Sequence, residues 1–244
     1  MRLLKFLAIL LLIPQVCFGA GNSSMSFDGT NDKVSPTGYK GVTGTGARTI
    51  MGWFKNSLSA SSGQLVAWGD SSGLNAGRSD TFAIESGVAW GRHNQSRIWS
   101  TGSGFGDSAW HSFAYTLGAS QTNGDRKVNL DFTLRSPSFT NPTTAIDTLS
   151  DADFRAGESL TGTVDYSGLM AYIQLTATQL TQTEAYESLW KPGSVGNYQL
   201  FYPGWTTDSG TEKDLSGNGR DGTVTGAVGS SDGPPVMFGG GLPL

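Results

Sequence analysis

Short apolar runs recur along this chain at strand length, each closed by glycine, serine, asparagine or aspartate: MSF at 25–27, TIMGWF at 49–54, QLVAWG at 64–69, TFAIE at 81–85, GVAWGR at 87–92 and SRIWS at 96–100. AWHSFAYTL at 109–117, KVNLDFTLR at 127–135, DFRAGES at 153–159 and GLMAYIQLT at 168–176 continue the series. Runs this short, bounded by turn formers, read as β-strands. In KVNLDFTLR, Val128, Leu130, Phe132 and Leu134 alternate with polar neighbours, as a strand with one buried and one solvated face requires. Thirty-five glycines and only 15% charged residues suit many tight turns between strands better than a helical protein.

One segment departs from this pattern. In TATQLTQTEAYESLWKPG, 176–193, Leu180, Glu184, Tyr186, Leu189 and Trp190 fall at roughly helical spacing. Thr181 and Glu184 form a capping box, and Pro192 with Gly193 stops the helix, which is predicted over 182–190. NYQLFYPGW at 197–205 and GTVTGAV at 222–228 then read as late strands. With no fixed-period repeat and no long linker, the reading is one all-β domain over 20–238, with a tail at 239–244.

The first residues read as a secretory leader. Arg2 and Lys5 precede an apolar run from Phe6 to Ile13, followed by Pro14 and a small-residue exit. That run is too short for a membrane span, which needs roughly 20 apolar residues. Cleavage is expected after Gly19, with Cys17 and Gly19 at the small positions. A lipid-modified Cys17 is the rival reading, against which IPQVC carries Pro, Gln and Val where such processing wants a leucine-like residue and then small ones. Loss of residues 1–19 removes only Arg2 and Lys5 among the charges, taking the formal net charge from −4 to −6, and removes the single cysteine. The expectation is a secreted, periplasmic or surface-associated protein stabilised without disulfides, with no membrane span after cleavage and no basic run for nucleic acid.

Several quoted segments carry a family resemblance. MSFDGTNDKVS, IMGWFK at 50–55, LVAWGD at 65–70, AWHSFAYTL and LTATQLTQTEAYESL at 175–189 occur in the order seen in laminin-G-like jelly rolls of the concanavalin A-like lectin and glucanase superfamily. DLSGNGRDGTVTGA, 214–227, resembles the Asp-x-Ser-Gly-Asn-Gly motif of bacterial and bacteriophage members. The resemblance implies two antiparallel sheets packed face to face, with end loops and a concave face open to a ligand. One such sandwich hosts lectins, enzymes, adhesins and spacers, so function has to come from residues.

Glycosidase chemistry needs two carboxyl groups about 5 Å apart for retention, which on a strand means acidic residues two apart. Of the five glutamates, Glu85, Glu158, Glu184, Glu187 and Glu212, none stands in such a pair within a strand, since Glu212, two before Asp214, is read in a turn. Asp151 and Asp153, also two apart, lie ahead of a strand, where a turn role is expected. Of the two histidines, His111 reads as a packed, hydrogen-bonded residue beside Trp110.

The binding candidates lie in loops. WGRHNQSR sets Arg92, His93 and Asn94 near Trp90 and Trp99, combining planar hydrogen-bonding groups with aromatic faces suited to a sugar, while a plain hairpin turn also explains it. Trp90, Trp99 and Trp205 lie near turns and are candidates for an exposed platform; Trp53, Trp68, Trp110 and Trp190 read as core. DLSGNGRDGT, 214–223, offers Asp214, Asn218 and Asp221 among three glycines, and FDGTND offers Asp28 and Asp32. Together they make a candidate calcium set if the terminal strands are neighbours; alone, each is a turn that bonds its own backbone. The functional expectation is a non-catalytic domain binding a carbohydrate or glycosylated surface. Its alternative is a structural or decoration module with protein partners, for instance on a virus particle, and a divergent polysaccharide-degrading enzyme stands behind both.

Overall fold

Strands that are apolar on alternate positions bury one face, and strands apolar throughout bury two; both kinds pair here into two antiparallel sheets. The protein is described by a computed structural model over residues 23–57, 63–72, 78–93, 96–140, 142–162, 164–204 and 210–236, with backbone alone for 92, 93 and 96–102. The leader read at 1–19, Cys17 within it, and the tail at 239–244 lie outside the described residues.

In chain order the strands are β1 Ser24–Asp28, β2 Lys33–Pro36, β3 Arg48–Asn56, β4 Gly63–Gly69, β5 Ser79–Glu85, β6 Val88–His93, β7 Ser96–Ser103, β8 His111–Leu117, β9 Lys127–Leu130, β10 Thr133–Arg135, β11 Ser138–Phe139, β12 Ala152–Ala156, β13 Ser167–Thr176, β14 Tyr198–Tyr202, β15 Thr211–Glu212, β16 Gly222–Thr225 and β17 Val228–Ser230. The helix α1, Gln182–Trp190, follows β13. The first sheet runs β10-β9-β8-β3-β13-β1-β17, with β14 also on β13; the second runs β11-β7-β6-β5-β4-β12-β2-β16-β15. Among the described residues no helix is long and apolar enough to cross a membrane.

The main core lies between the sheets. Ile50 and Phe54 of β3, Phe113 and Tyr115 of β8, Val66 and Trp68 of β4, and Phe82 and Ile84 of β5 meet there. Phe82 stacks on Phe113 at 4.3 Å between ring centroids. The other side of the first sheet is covered by α1: Met51 and Trp53 alternate with the core-facing residues of β3 and pack against Leu180, Ala185 and Leu189. The capping box is present, with Thr181 Oγ1 accepting from the Glu184 amide and Glu184 Oε2 accepting from the Thr181 amide. Trp53 Nε1 donates to Leu189 O at 2.9 Å, fixing the end of the helix to the sheet.

Two expected strands turn out to be broken. KVNLDFTLR is a hairpin, because Leu130 pairs with Thr133 and the intervening Asp131 and Phe132 both have left-handed backbones, at φ 49° and 57°. Asp131 N still donates to Ser112 O, so the chain keeps its place beside β8 for one more residue before reversing. GTVTGAV is likewise two strands in two sheets, β16 on β2 and β17 on β1, crossing at Gly226. Gly226 has φ 74°, and a Cβ there would lie 1.8 Å from Asp32 Oδ1, so the crossing requires glycine.

At one end of the core the sheets are joined by charge. Arg48 shares the inward parity of Ile50 and Phe54, and Asp80 that of Phe82 and Ile84. Arg48 Nη1 and Arg126 Nη1 reach the two carboxylate oxygens of Asp80, at 2.5 and 2.6 Å, and both arginines and the aspartate are buried. Thr148 Oγ1 donates to Asp80 Oδ2 at 2.8 Å. Arg48 also donates to the carbonyls of Val42, Gly44 and Gly46. Removing one partner of a buried ion pair strands the other, at a cost of about 3–5 kcal/mol. Arg48→Met is therefore expected to lower the unfolding free energy by about 3–5 kcal/mol in a denaturant titration; a loss below about 1 kcal/mol would mean that Arg126 and Thr148 suffice to hold Asp80.

Candidate functional site

The hairpin formed by β6 and β7 gathers most of the sugar-binding candidates. Its register sets Trp90 opposite Ser100, Gly91 opposite Trp99, Arg92 opposite Arg97 and His93 opposite Ser96. Asn94 and Trp205 lie outside the described residues, as do the side chains of Arg92, His93 and Trp99. Trp90 is no exposed platform: it is 2% exposed, in mid-strand opposite Ala83 of β5, packed rather than presented.

The acidic loops are two separate turns. Lys33 pairs with Thr225 and Pro36 with Gly222, so Asp28 and Asp32 lie at one end of the β2–β16 ladder and Asp214 and Asp221 at the other. Three residue steps of strand separate them, roughly 10 Å. Asp214 Oδ1 accepts from the Phe201 and Ser216 amides, and Oδ2 from Ser216 Oγ and the Arg220 amide. Asp221 holds the Asp214 amide and Lys213 Nζ, and the lysine contact, with that amide, keeps its carboxyl below the usual range. Asn218 Nδ2 donates to Tyr198 O. Asp28 Oδ1 accepts from the Thr30 amide, and Asp32 Oδ2 from the Asp28 amide. Burial pushes the Asp32 carboxyl up, toward its neutral form. Calcium wants six to eight free oxygens. Among the described residues no three His, Cys, Asp or Glu side chains are grouped to hold a metal, and this donor set does not fit one.

Three further acidic residues, Asp151, Asp153 and Glu158, are also held in structure. Asp151 Oδ2 accepts from the amide and hydroxyl of Ser71, Asp153 pairs with Lys40 at 2.7 Å, and Glu158 is bonded by Lys33 and Arg155.

A surface that the sequence reading passed over lies on the helix side of the first sheet. Phe132, at the hairpin turn between β9 and β10, stands edge-on to three rings: Trp53 at 5.7 Å, Tyr186 at 5.5 Å and Trp190 at 5.9 Å. Trp190, expected in the core, is 39% exposed. Trp110, also expected there, is half-buried, with Nε1 on Asp232 Oδ1 at 2.8 Å beside the Lys55–Asp232 pair. The cause is angular: α1 buries Ala185 and Leu189, and Tyr186 and Trp190 follow each by one residue, about 100° around the helix, on its flank. Two-residue hairpin turns of this kind favour Asn-Gly or Asp-Gly. A left-handed backbone at Phe132 costs on the order of 1–2 kcal/mol, while each edge-on ring pair returns roughly 0.5–1.5 kcal/mol, so three pairs offset the strain. The one sequence signal for this surface was the Tyr186/Trp190 spacing of four.

His111 supports the same turn. Its Nδ1 lies 2.9 Å from Asp131 Oδ2 and its Nε2 2.9 Å from Asp107 Oδ1, while Asp131 Oδ1 accepts from the Ser112 amide. Burial works to lower the imidazole's proton affinity, and the bonds to Asp131 and Asp107 outweigh it, leaving the pKa raised. The Ala109 amide and then His111 hold the Asp107 carboxyl low.

No protein-family model matches the chain, and no curated protein matches it by sequence. Solved structures match it by shape. A candidate carbohydrate-binding protein from Bacteroides ovatus superposes with a TM-score of 0.64 at 16% identity, over 89% of this chain and 62% of that one. This chain thus spans less than two thirds of that protein. The native heptameric SAP-like pentraxin of Limulus polyphemus gives 0.55 at 12% identity, over 85% and 94%. Domains LG4-5 of the mouse laminin α1 chain give 0.45 at 13% identity, over 66% and 46%, too weak to carry an argument. At these identities the likeness shows fold: a concanavalin A-like jelly roll.

Without its carboxylate, position 214 leaves four donors unserved. Asp214→Ala is expected to cost about 1.5–3 kcal/mol of stability, as for loss of charge-assisted hydrogen bonds. Its melting temperature and that of the parent are expected to be the same in calcium as in chelator; a calcium-dependent rise in the parent, absent from the variant, would make this loop an ion site.

Proposed function

We propose that this protein is a non-catalytic binding domain that takes a carbohydrate, or a glycosylated surface, on the ring cluster around Phe132. The observation that carries the reading is Trp190, 39% exposed at the rim of four interlocked aromatic rings. Sugars present apolar C–H faces that stack on such rings, and hydroxyls that take hydrogen bonds at the edge. Edge groups are at hand: Asp131 is half-buried, and Tyr186 Oη donates to Asn129 Oδ1 at 3.2 Å. The fold likeness to a candidate carbohydrate-binding protein supports the class of ligand. The leader-like residues 1–19 support a place outside the cytoplasm, where glycans are met.

Leu134 favours a second reading, a protein partner. It is 49% exposed and pairs with Asn129, which contacts Tyr186, so it extends the ring cluster with apolar surface. The sequence candidates Arg92, His93, Asn94 and Trp99 are the alternative seat for a sugar.

The chain is expected to retain glycans on an array in chelator. Trp190→Ala is expected to weaken the best-retained glycan by about tenfold or more, equivalent to about 1.4 kcal/mol. Trp99→Ala is expected to leave it within about twofold. An empty array overturns the reading, and loss in the Trp99 variant alone moves the site to the β6–β7 hairpin.

A further inference from the structure

Taking the ring cluster as the binding surface, we infer that His111 and Asp131 are positioning residues that hold Phe132 in its ring-presenting turn, and that they do so only while His111 is charged. The turn is poorly served by its own sequence: Asp131 tolerates a left-handed backbone, whereas Phe132 at φ 57° is an outlier for a bulky residue. Asp131 is fixed to β8 at three points, by its amide on Ser112 O, by the Ser112 amide on Oδ1 and by His111 Nδ1 on Oδ2. His111 cannot swing away, because Phe54 lies against its ring at 5.5 Å, Phe105 edge-on at 5.2 Å, and Asp107 holds its far nitrogen.

Both imidazole nitrogens thus face carboxylate oxygens, which accept and do not donate. Imidazolium, with a proton on each nitrogen, satisfies both. Neutral imidazole has one proton and must set a lone pair against one carboxylate. The Asp107 oxygen that faces Nε2 also accepts the Ala109 amide, whereas the Ser112 amide sits on the other oxygen of Asp131 from the one that faces Nδ1, so the loss is felt at Asp131 Oδ2 and its turn. The charged groups facing His111 are Asp107 from the 104–110 loop and Asp131 from the turn; β3 presents Phe54, and β10 presents Arg135 only through Phe105, whose ring it overlies at 5.7 Å. Because the folded pKa is raised, the clasp is complete below the ordinary histidine value of 6.5 and is lost as pH rises through the folded value.

The test is made on the free protein by NMR, following the His111 ring and the Phe132 aromatic signals from about pH 5.5 to about 9. The expected result is that His111 titrates above its ordinary value, that the Phe132 signals shift or broaden with the same midpoint, and that Asp131→Asn, which keeps an acceptor for the Ser112 amide, lowers the His111 midpoint and fixes Phe132 in its high-pH state. Phe132 signals that stay constant while His111 titrates, or a His111 midpoint at or below the ordinary value, overturn the inference. Since no ligand is involved, an empty glycan array would sink the functional reading and leave this result standing.

Discussion

Two arginines sharing one buried aspartate fix how the two sheets meet. Arg48 belongs to β3 in one sheet, Asp80 to β5 in the other, and Arg126 to the approach to β9, so one carboxylate draws three separate stretches of chain to a point. Apolar packing alone tolerates sliding, since any inward face is greasy enough to meet any other. A pair of guanidinium groups on two defined oxygens tolerates far less, because a shift of one strand step unpairs a charge in low dielectric. Two positive charges against one negative leave an excess, which carbonyls of the 42–46 loop help to offset. The loop is thereby set by the same group that sets the sheets.

Strand-length runs and turn formers made the sandwich legible in the sequence, down to the bounds of α1, because Thr181, Glu184, Pro192 and Gly193 punctuate the chain locally. What was hidden is what depends on partners far away. The period-two pattern runs unbroken through Phe132; the reversal there shows in the pairing of Leu130 with Thr133, and Asp131 is secured at it by Ser112 and His111 of another strand. Likewise GTVTGAV reads as one strand until Asp32, some 190 positions earlier, is found pressed against Gly226. The site was less legible than the fold. Tryptophans were sorted by whether neighbours in sequence were apolar, and that rule failed for Trp90 and Trp190: burial depends on which way a strand or helix position faces, and on what lies across from it.

Two kinds of loop serve this jelly roll. The 214–222 turn directs its polar groups inward, onto its own amides and Tyr198. The β9–β10 turn does the opposite, using one aspartate to secure itself and turning an aromatic side chain toward other rings at the surface. Function concentrates where strain is retained because neighbouring contacts over-determine it. By that measure the second turn, and not the glycine-rich loop with the more conspicuous sequence, is the candidate on which the proposed recognition rests.

The crossing at Gly226 has a further meaning for how the chain reaches this state. β1 finds its outer neighbour only in β17, and the Ser24 hydroxyl bonds Asp232 O across 208 positions of sequence. A growing chain therefore presents the outer edge of β1 unpaired until β17 has been made. Contacts this distant slow folding, and an unpaired apolar edge is a template for the strands of other molecules. Closing this sheet is thus a late event, and the edge of β1 has to be kept from wrong partners while it waits for β17.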